Sequence, residues 1–189
     1  AVHKLNFLHR DIKPDNIYIR ADGSPVLLDF GAARRVSADH DMTNIVSPGF
    51  APFEQYHSKG NQGPWTDLYS LGIVLYELLA GRPPFDLSRA SAGEVERRIN
   101  QEVPVTLSRA AAGGDAAWRD ALAGDLDVIT AKALRKRADQ RHPSVSALGA
   151  ELQAYLVSPP DRTFKRLWRR VRNDRRSWVA ALAAAAMVL

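Results

Sequence analysis

The sequence contains no cysteine. Disulfide frameworks, thiolate zinc sites and cysteine nucleophiles are therefore excluded together, and a reducing compartment is permitted. Glycine and proline are sparse, at 12 and 11 of 189 residues, which rules out a collagen-like chain. A hydrophobic fraction of 46% beside 25% charged residues rules out broad disorder and is enough for a sizeable core. No signal peptide is visible. Ala1 to Arg10 carries no initiator Met and reads as the interior of something longer, so the chain is expected to be a fragment.

The net charge of +5 is unevenly placed. Residues 1–160 hold 18 Lys+Arg against 19 Asp+Glu, whereas residues 161–189 hold 8 against 2. The body is near neutral, which argues against a nucleic-acid-binding surface spread over the fold; no nucleic-acid partner is expected.

The pattern predicts a mainly α (α+β) body with one small strand pair. Ile17-Tyr18-Ile19, a turn at Ala21-Asp22-Gly23, and Val26-Leu27-Leu28 read as two short strands. Residues 31–64 form a long segment without periodicity, of the kind that is usually functional or disordered. From Asp67 to Ala80, leucines and other apolar residues surround a helix on most sides, so that helix should be buried; Gly81 and Pro83-Pro84 end it. Shorter helices are expected at 90–101 and 125–134. Ala110 to Gly124 reads as a small-residue loop with a helical turn around Trp118, and Ser144 to Leu156 as an amphipathic helix.

The chemistry concentrates in His9-Arg10-Asp11-Ile12-Lys13-Pro14-Asp15-Asn16, followed after the strand pair by Asp29-Phe30-Gly31. A hairpin would bring Asp11, Lys13, Asn16 and Asp29 together. Two oxygen ligands, from Asn16 and Asp29, suit a hard cation such as Mg²⁺ that also holds substrate phosphates. Lys13 offers a point charge for phosphate and Asp11 a carboxylate to orient a hydroxyl. A lone H-R-D on a solvated turn would be coincidence; seven matched positions at two correlated spacings are not.

The run resembles the catalytic loop and metal-binding motif of protein kinases, H-R-D-x-K-x-x-N then D-F-G, in its serine/threonine form. The resemblance implies the large lobe of a protein-kinase-like domain, with a short β-hairpin carrying the active site. It implies that Asp11 accepts or orients the substrate hydroxyl proton and that Lys13 neutralises the transferring phosphoryl group. Asn16 and Asp29 would hold Mg²⁺, with ATP as phosphoryl donor and protein Ser or Thr as acceptor.

Ser47-Pro48-Gly49-Phe50-Ala51-Pro52-Phe53-Glu54 resembles the end of a kinase activation segment, departing from the family pattern at Phe53. Asp67 would cap catalytic-loop amides, Arg141 would pair with Glu54, and Ser47 would reach the catalytic loop through its hydroxyl. Arg10 resembles the arginine that pairs with an activation-segment phosphate, with Ser37, Thr43 and Ser47 as candidate acceptors. His3, His40, His57 and His142 show no metal-ligand spacing or obvious acidic partner and are expected in surface or packing roles. Trp65 and Trp118 read as anchors, and Arg34-Arg35 as a solvated charge pair.

These 189 residues contain no G-x-G-x-x-G, so the nucleotide clamp of a kinase small lobe is missing from them. The fragment alone is expected to be inactive. The alternative class is a non-catalytic, pseudokinase-like or scaffold module at the membrane.

Three segments are expected: the partial kinase lobe at 1–157, a basic juxtamembrane segment at 158–177, and the start of a truncated transmembrane helix at 178–189. Phe164, Leu167, Trp168 and Val171 would share one helix face against a cationic side. Trp178 to Leu189 is uncharged but spans only about 18 Å as a helix, short of the roughly 30 Å of bilayer hydrocarbon. A buried helix, a nucleic-acid-binding helix and a polybasic patch on anionic lipid remain alternatives. The adopted expectation is a single-pass protein of the cytoplasmic membrane, with its kinase portion in the cytoplasm by the positive-inside rule.

Overall fold

The computed structural model describes residues 2–35, 46–57, 61–111 and 116–157. Two short antiparallel strand pairs lie at one end and helices supply the rest. Strand β1 is Phe7–Leu8, β2 Ile17–Ile19, β3 Pro25–Leu27 and β4 Arg34–Arg35. The helices are α1 (Phe53–Tyr56), α2 (Pro64–Ala80), α3 (Ala92–Gln101), α4 (Leu107–Ala110), α5 (Ala116–Leu122), α6 (Asp125–Ala133) and α7 (Val145–Val157). The described body is thus mainly helical with little sheet.

Helix α2 is the spine. Gly63 precedes it in an extended conformation and Pro64 opens it, where a missing N–H costs nothing. Thr66 Oγ1 accepts the Gly63 N–H at 3.2 Å, satisfying a donor at the helix entry. Gly81 stops the helix at φ 72°, its N–H returning to Glu77 O at 2.9 Å. Twelve of the seventeen residues are buried, so α2 is surrounded rather than amphipathic. Helices α4, α6 and α7 and strand β1 pack on it. The core around it includes Leu68, Leu71, Leu75, Leu122, Leu126 and Leu148.

The β2–β3 hairpin pairs Ile17 with Leu27 and Ile19 with Pro25. Its turn is closed locally: Asp22 Oδ1 accepts the Ser24 N–H at 2.8 Å, and Gly23 takes φ 82°, which a side chain would resist. The second strand lies one residue earlier than the alternation indicated.

Three expectations need correction. Among the described residues there are two strand pairs, not one: β1 pairs with β4, Phe7 opposite Arg35 and Leu8 opposite Arg34. Two-residue strands leave no alternation to read, so only the fold reveals this pair. The stretch 110–124 is less of a loop than its small residues suggested. Helix α4 ends at its start and α5 runs two turns, anchored by Trp118 Nε1 donating to Leu79 O at 3.1 Å. Three histidines also have acidic partners: His3 with Asp67, His57 with Glu96 and His142 with Glu151. Each partner sits on another element, beyond the reach of sequence spacing. His40 lies outside the described residues.

The expected juxtamembrane and transmembrane segments, 158–177 and 178–189, also lie outside the described residues. Among the described residues no helix is long and apolar enough to cross a membrane.

The α2–α6 contact provides a stability test. A Cβ on Gly72 would stand 2.9 Å from Ala133 Cβ and 3.1 Å from Leu134 Cδ2, whereas one on Gly93 meets nothing within 4 Å. Gly72→Ala should cost about 1–3 kcal/mol through overpacking. Gly93→Ala, exposed near the start of α3, should be neutral or stabilising by about 0.4–1 kcal/mol. Urea unfolding midpoints of the two variants check both signs.

Candidate active site

The loop between β1 and β2 is held from beneath by one carboxylate. Asp67, fully buried in the first turn of α2, accepts the His9 N–H at 2.8 Å on Oδ2 and the Arg10 N–H at 2.7 Å on Oδ1. His3 Nε2 donates to Oδ2 at 2.7 Å. From above, Gln55 Nε2 in α1 donates to Arg10 O at 2.6 Å. Both backbone groups of Arg10 are thereby fixed while its φ is 67°, in the left-handed region.

Asp11 follows, almost buried, and its carboxylate collects three donors. Lys13 Nζ and Asn16 Nδ2 each reach Oδ2 at 2.8 Å, and Ser47 Oγ donates to Oδ1 at 2.5 Å. Lys13 Nζ also donates to Ser47 Oγ at 3.1 Å, closing a ring of three side chains. Burial pushes the Asp11 carboxyl up, but the bonds from Lys13, Ser47 and Asn16 outweigh it and hold the group below its ordinary value. Asp11 is an anion at neutral pH, able to accept a proton or orient a hydroxyl.

Asp29 reaches the same place through backbone pairing. The Leu28 N–H donates to Asn16 O at 2.8 Å, and the Leu28 carbonyl receives His9 Nε2 at 3.0 Å. His9 Nδ1 accepts the Asp11 N–H at 3.4 Å, so the ring bridges the two motifs in a defined tautomer. Phe30 meets the His9 ring edge-on at 4.8 Å. Asp29 itself takes φ 58° and is exposed, with Oδ1 accepting the Gly31 N–H at 3.0 Å.

The donor set fits a hard divalent cation. Asn16 spends its amide hydrogens on Asp11, to the backbone oxygen and Oδ2, both at 2.8 Å, which leaves Oδ1 uncommitted among the described residues. Asp29 keeps Oδ2. Two oxygens from two adjacent segments suit magnesium, which retains waters and phosphate oxygens for its other positions.

A second anchor ties the far segment to the helical body. Arg141 Nη1 and Nη2 donate to Glu54 Oε1 and Oε2 at 2.7 and 3.2 Å. The remaining donors go to the backbone oxygens of Arg135, Trp65 and Lys136. All five guanidinium protons have acceptors, and the plane lies over Tyr69, 4.9 Å from the ring centre. Thr66 Oγ1 adds a 3.3 Å bond to Glu54. The departure at Phe53 leaves the pair intact: Phe53 opens α1 and stacks edge-on against His57.

The four residues singled out from sequence therefore lie on two segments joined by direct bonds. Asp11, Lys13 and Asn16 touch one another, and Asp29 is adjacent through Leu28. His3 and Gln55 were not singled out, because each acts on backbone or on Asp67 across a long stretch of chain. Ser37 and Thr43 lie outside the described residues.

The protein kinase domain family matches residues 1–151, and the chain belongs to that family. Among curated relatives, serine/threonine-protein kinase PknL of Mycobacterium tuberculosis is 34% identical over 157 residues, covering 82% of this chain and 37% of its own length. Probable serine/threonine-protein kinase PknB of Bifidobacterium longum is 35% identical over 159 residues, 82% of this chain and 21% of its own. PknB of Mycobacterium tuberculosis is 34% identical over 167 residues, 84% and 25% respectively. The chain spans well under half the length of these relatives.

Two outcomes follow from the bonding. Ser47→Ala should raise the Asp11 pKa by removing a donor to the anion, read as a shifted carboxyl titration by carbon-13 NMR. Native stability drawn from the depressed Asp11 pKa is present above the unfolded carboxyl value and is lost as pH falls through the folded one; in Ser47→Ala that contribution should be smaller and its loss complete at a higher pH. Separately, Arg141→Met should cost about 3–5 kcal/mol by stranding Glu54. Arg141→Lys, with three protons for five acceptors, should recover little of it in urea unfolding.

Proposed function

We propose that this chain is the catalytic lobe of a serine/threonine protein kinase that transfers the γ-phosphoryl group of ATP to a protein hydroxyl. The observation that carries the reading is the ring of Asp11, Lys13 and Ser47, closed by Asn16 and abutting the segment that ends in Asp29. Asp11 orients the Ser or Thr hydroxyl and receives its proton as the oxygen bonds to the γ-phosphorus. The bond from that phosphorus to the β-phosphate oxygen breaks, and ADP leaves. Lys13 places positive charge beside the transferring group. Asn16 Oδ1 and the Asp29 carboxylate are the groups that would hold Mg²⁺, which supplies charge neutralisation for the phosphates when bound.

Arg10 belongs to the same reading. Its guanidinium is buried, with Nε and Nη2 unpaired among the described residues, and burial followed by the nearby Arg34 pushes its pKa down. Such a cation suits a phosphate on the activation segment, whose candidate acceptors are Ser37 and Thr43. The basic segment 158–177 and the apolar run 178–189 would place the lobe at the cytoplasmic face of a membrane as part of a single-pass protein.

Phosphopeptide analysis after incubation with ATP and Mg²⁺ tests the reading. The 189 residues alone should transfer nothing measurable, because they contain no Gly-rich loop. Joined to the small lobe of a relative such as PknB, they should phosphorylate Ser or Thr, and Asp11→Asn should slow that by about 10²–10⁴-fold. Transfer that is indifferent to Asp11 would favour the scaffold alternative, and Asp11-dependent transfer by the 189 residues alone would overturn the expected inactivity.

A further inference from the structure

Two and a half turns beyond Asp67 along α2, about 13 Å from it, Tyr76 forms one wall of a cavity of about 270 Å³. Leu107 and Leu134 supply further apolar wall, and the extended strap Val103–Val105 forms the lip. The strap is tethered at its ends: Tyr76 Oη donates to Val105 O at 2.8 Å, and the Glu102 N–H donates to Arg98 O at 2.9 Å. Between the tethers, Val103 is 81% exposed and Val105 47%. Apolar side chains at the lip of an apolar hollow suit a ligand with a hydrocarbon body.

Two independent features give that ligand a polar end. Thr130, in the cavity wall, is 1% exposed, yet its hydroxyl oxygen has no hydrogen-bond partner among the described residues. Native structures rarely leave such an atom unpaired. The rim is also cationic: Arg135, Lys136 and Arg137 line it in succession, against the single carboxylate of Asp127. That carboxylate is already engaged by the Ser108 N–H and Oγ at 3.0 and 2.6 Å. Arg137 is paired with Asp139, whereas exposed Arg135 has no acidic partner among the described residues. The Lys136 ammonium is engaged elsewhere, its Nζ donating to Ile99 O and lying 4.5 Å from the centre of the Phe85 ring, neither of which lines the cavity.

We propose that this cavity is a binding site for a small amphipathic carboxylate, its apolar body against Tyr76, Leu134 and the Val103–Val105 strap and its carboxylate met by Arg135. The planar guanidinium of Arg135 matches a carboxylate in two parallel bonds. A hollow of this volume holds a compact molecule and leaves no run of pockets for successive side chains of a peptide. The site shares no residue with the Asp11 network, so its failure and that of the phosphotransfer reading are separate results.

Octanoate and its neutral counterpart octanamide are suitable probes, titrated below micelle-forming concentration into the 189-residue chain with labelled Val and Leu methyl groups. Octanoate should shift the Val103, Val105 and Leu134 signals saturably, with octanamide binding at least tenfold more weakly. Arg135→Gln, at an exposed position, should weaken octanoate about tenfold, leave octanamide unchanged and keep the methyl spectrum dispersed. Equal affinity for the two probes, shifts that map elsewhere, or no saturable shift at these three residues would overturn the proposal.

Discussion

The structure depends on one buried carboxylate. Asp67 sits at zero exposure in the first turn of α2 and spends both oxygens on groups that precede Asp11. A charge in that position is tolerable because it is fully hydrogen-bonded, by two backbone amides and by His3. The helix to which it belongs is held on several sides by α4, α6 and α7. Rigidity built from aliphatic packing is thus delivered, through two hydrogen bonds, to a loop whose Ile12 is itself packed into the core. The residues with chemistry lie outside the core, and the core fixes their position.

A similar division of labour holds at the second anchor. Arg141 satisfies all its donors in one place, joining Glu54 to the backbone at Trp65, Arg135 and Lys136. Ser47, which bonds to Asp11, lies in the same described stretch as Gln55 and Glu54, 46–57. Asp67 fixes the catalytic loop to the front of α2, and Glu54 with Arg141 fixes the facing segment to the helices behind. The ring of Asp11, Lys13 and Ser47 closes because both of its sides are referred to the same helix.

Much of this was legible in the residues, and for specific reasons. Helix α2 announced itself by apolar residues on most sides and by Gly81 and Pro83-Pro84 after it. The hairpin showed in alternating apolar residues around Asp22-Gly23. Asp11, Lys13, Asn16 and Asp29 stood out because the chemistry needs those groups at those intervals, and the family motif then supplied Asp67 and the pairing of Glu54 with Arg141. What stayed hidden shares one property: it depends on contacts between distant parts of the chain with no local periodicity. The β1–β4 pair is two residues long, and the roles of His3 and Gln55 exist only once α1 and α2 meet the loop. Helix α5 was obscured by the small residues around it, although Trp118 stood out as an anchor.

The left-handed backbone at Arg10 carries a consequence for how the loop can change. An arginine with φ 67° is strained by roughly 1–2 kcal/mol relative to an ordinary extended residue, and it stays there because Asp67 grips its amide and Gln55 its carbonyl. The catalytic loop is therefore a cocked element. Loosening either grip would let the chain relax toward an unstrained geometry at the residue immediately before Asp11. Any event that repositions α1 is thereby wired to the reacting centre through a single peptide unit.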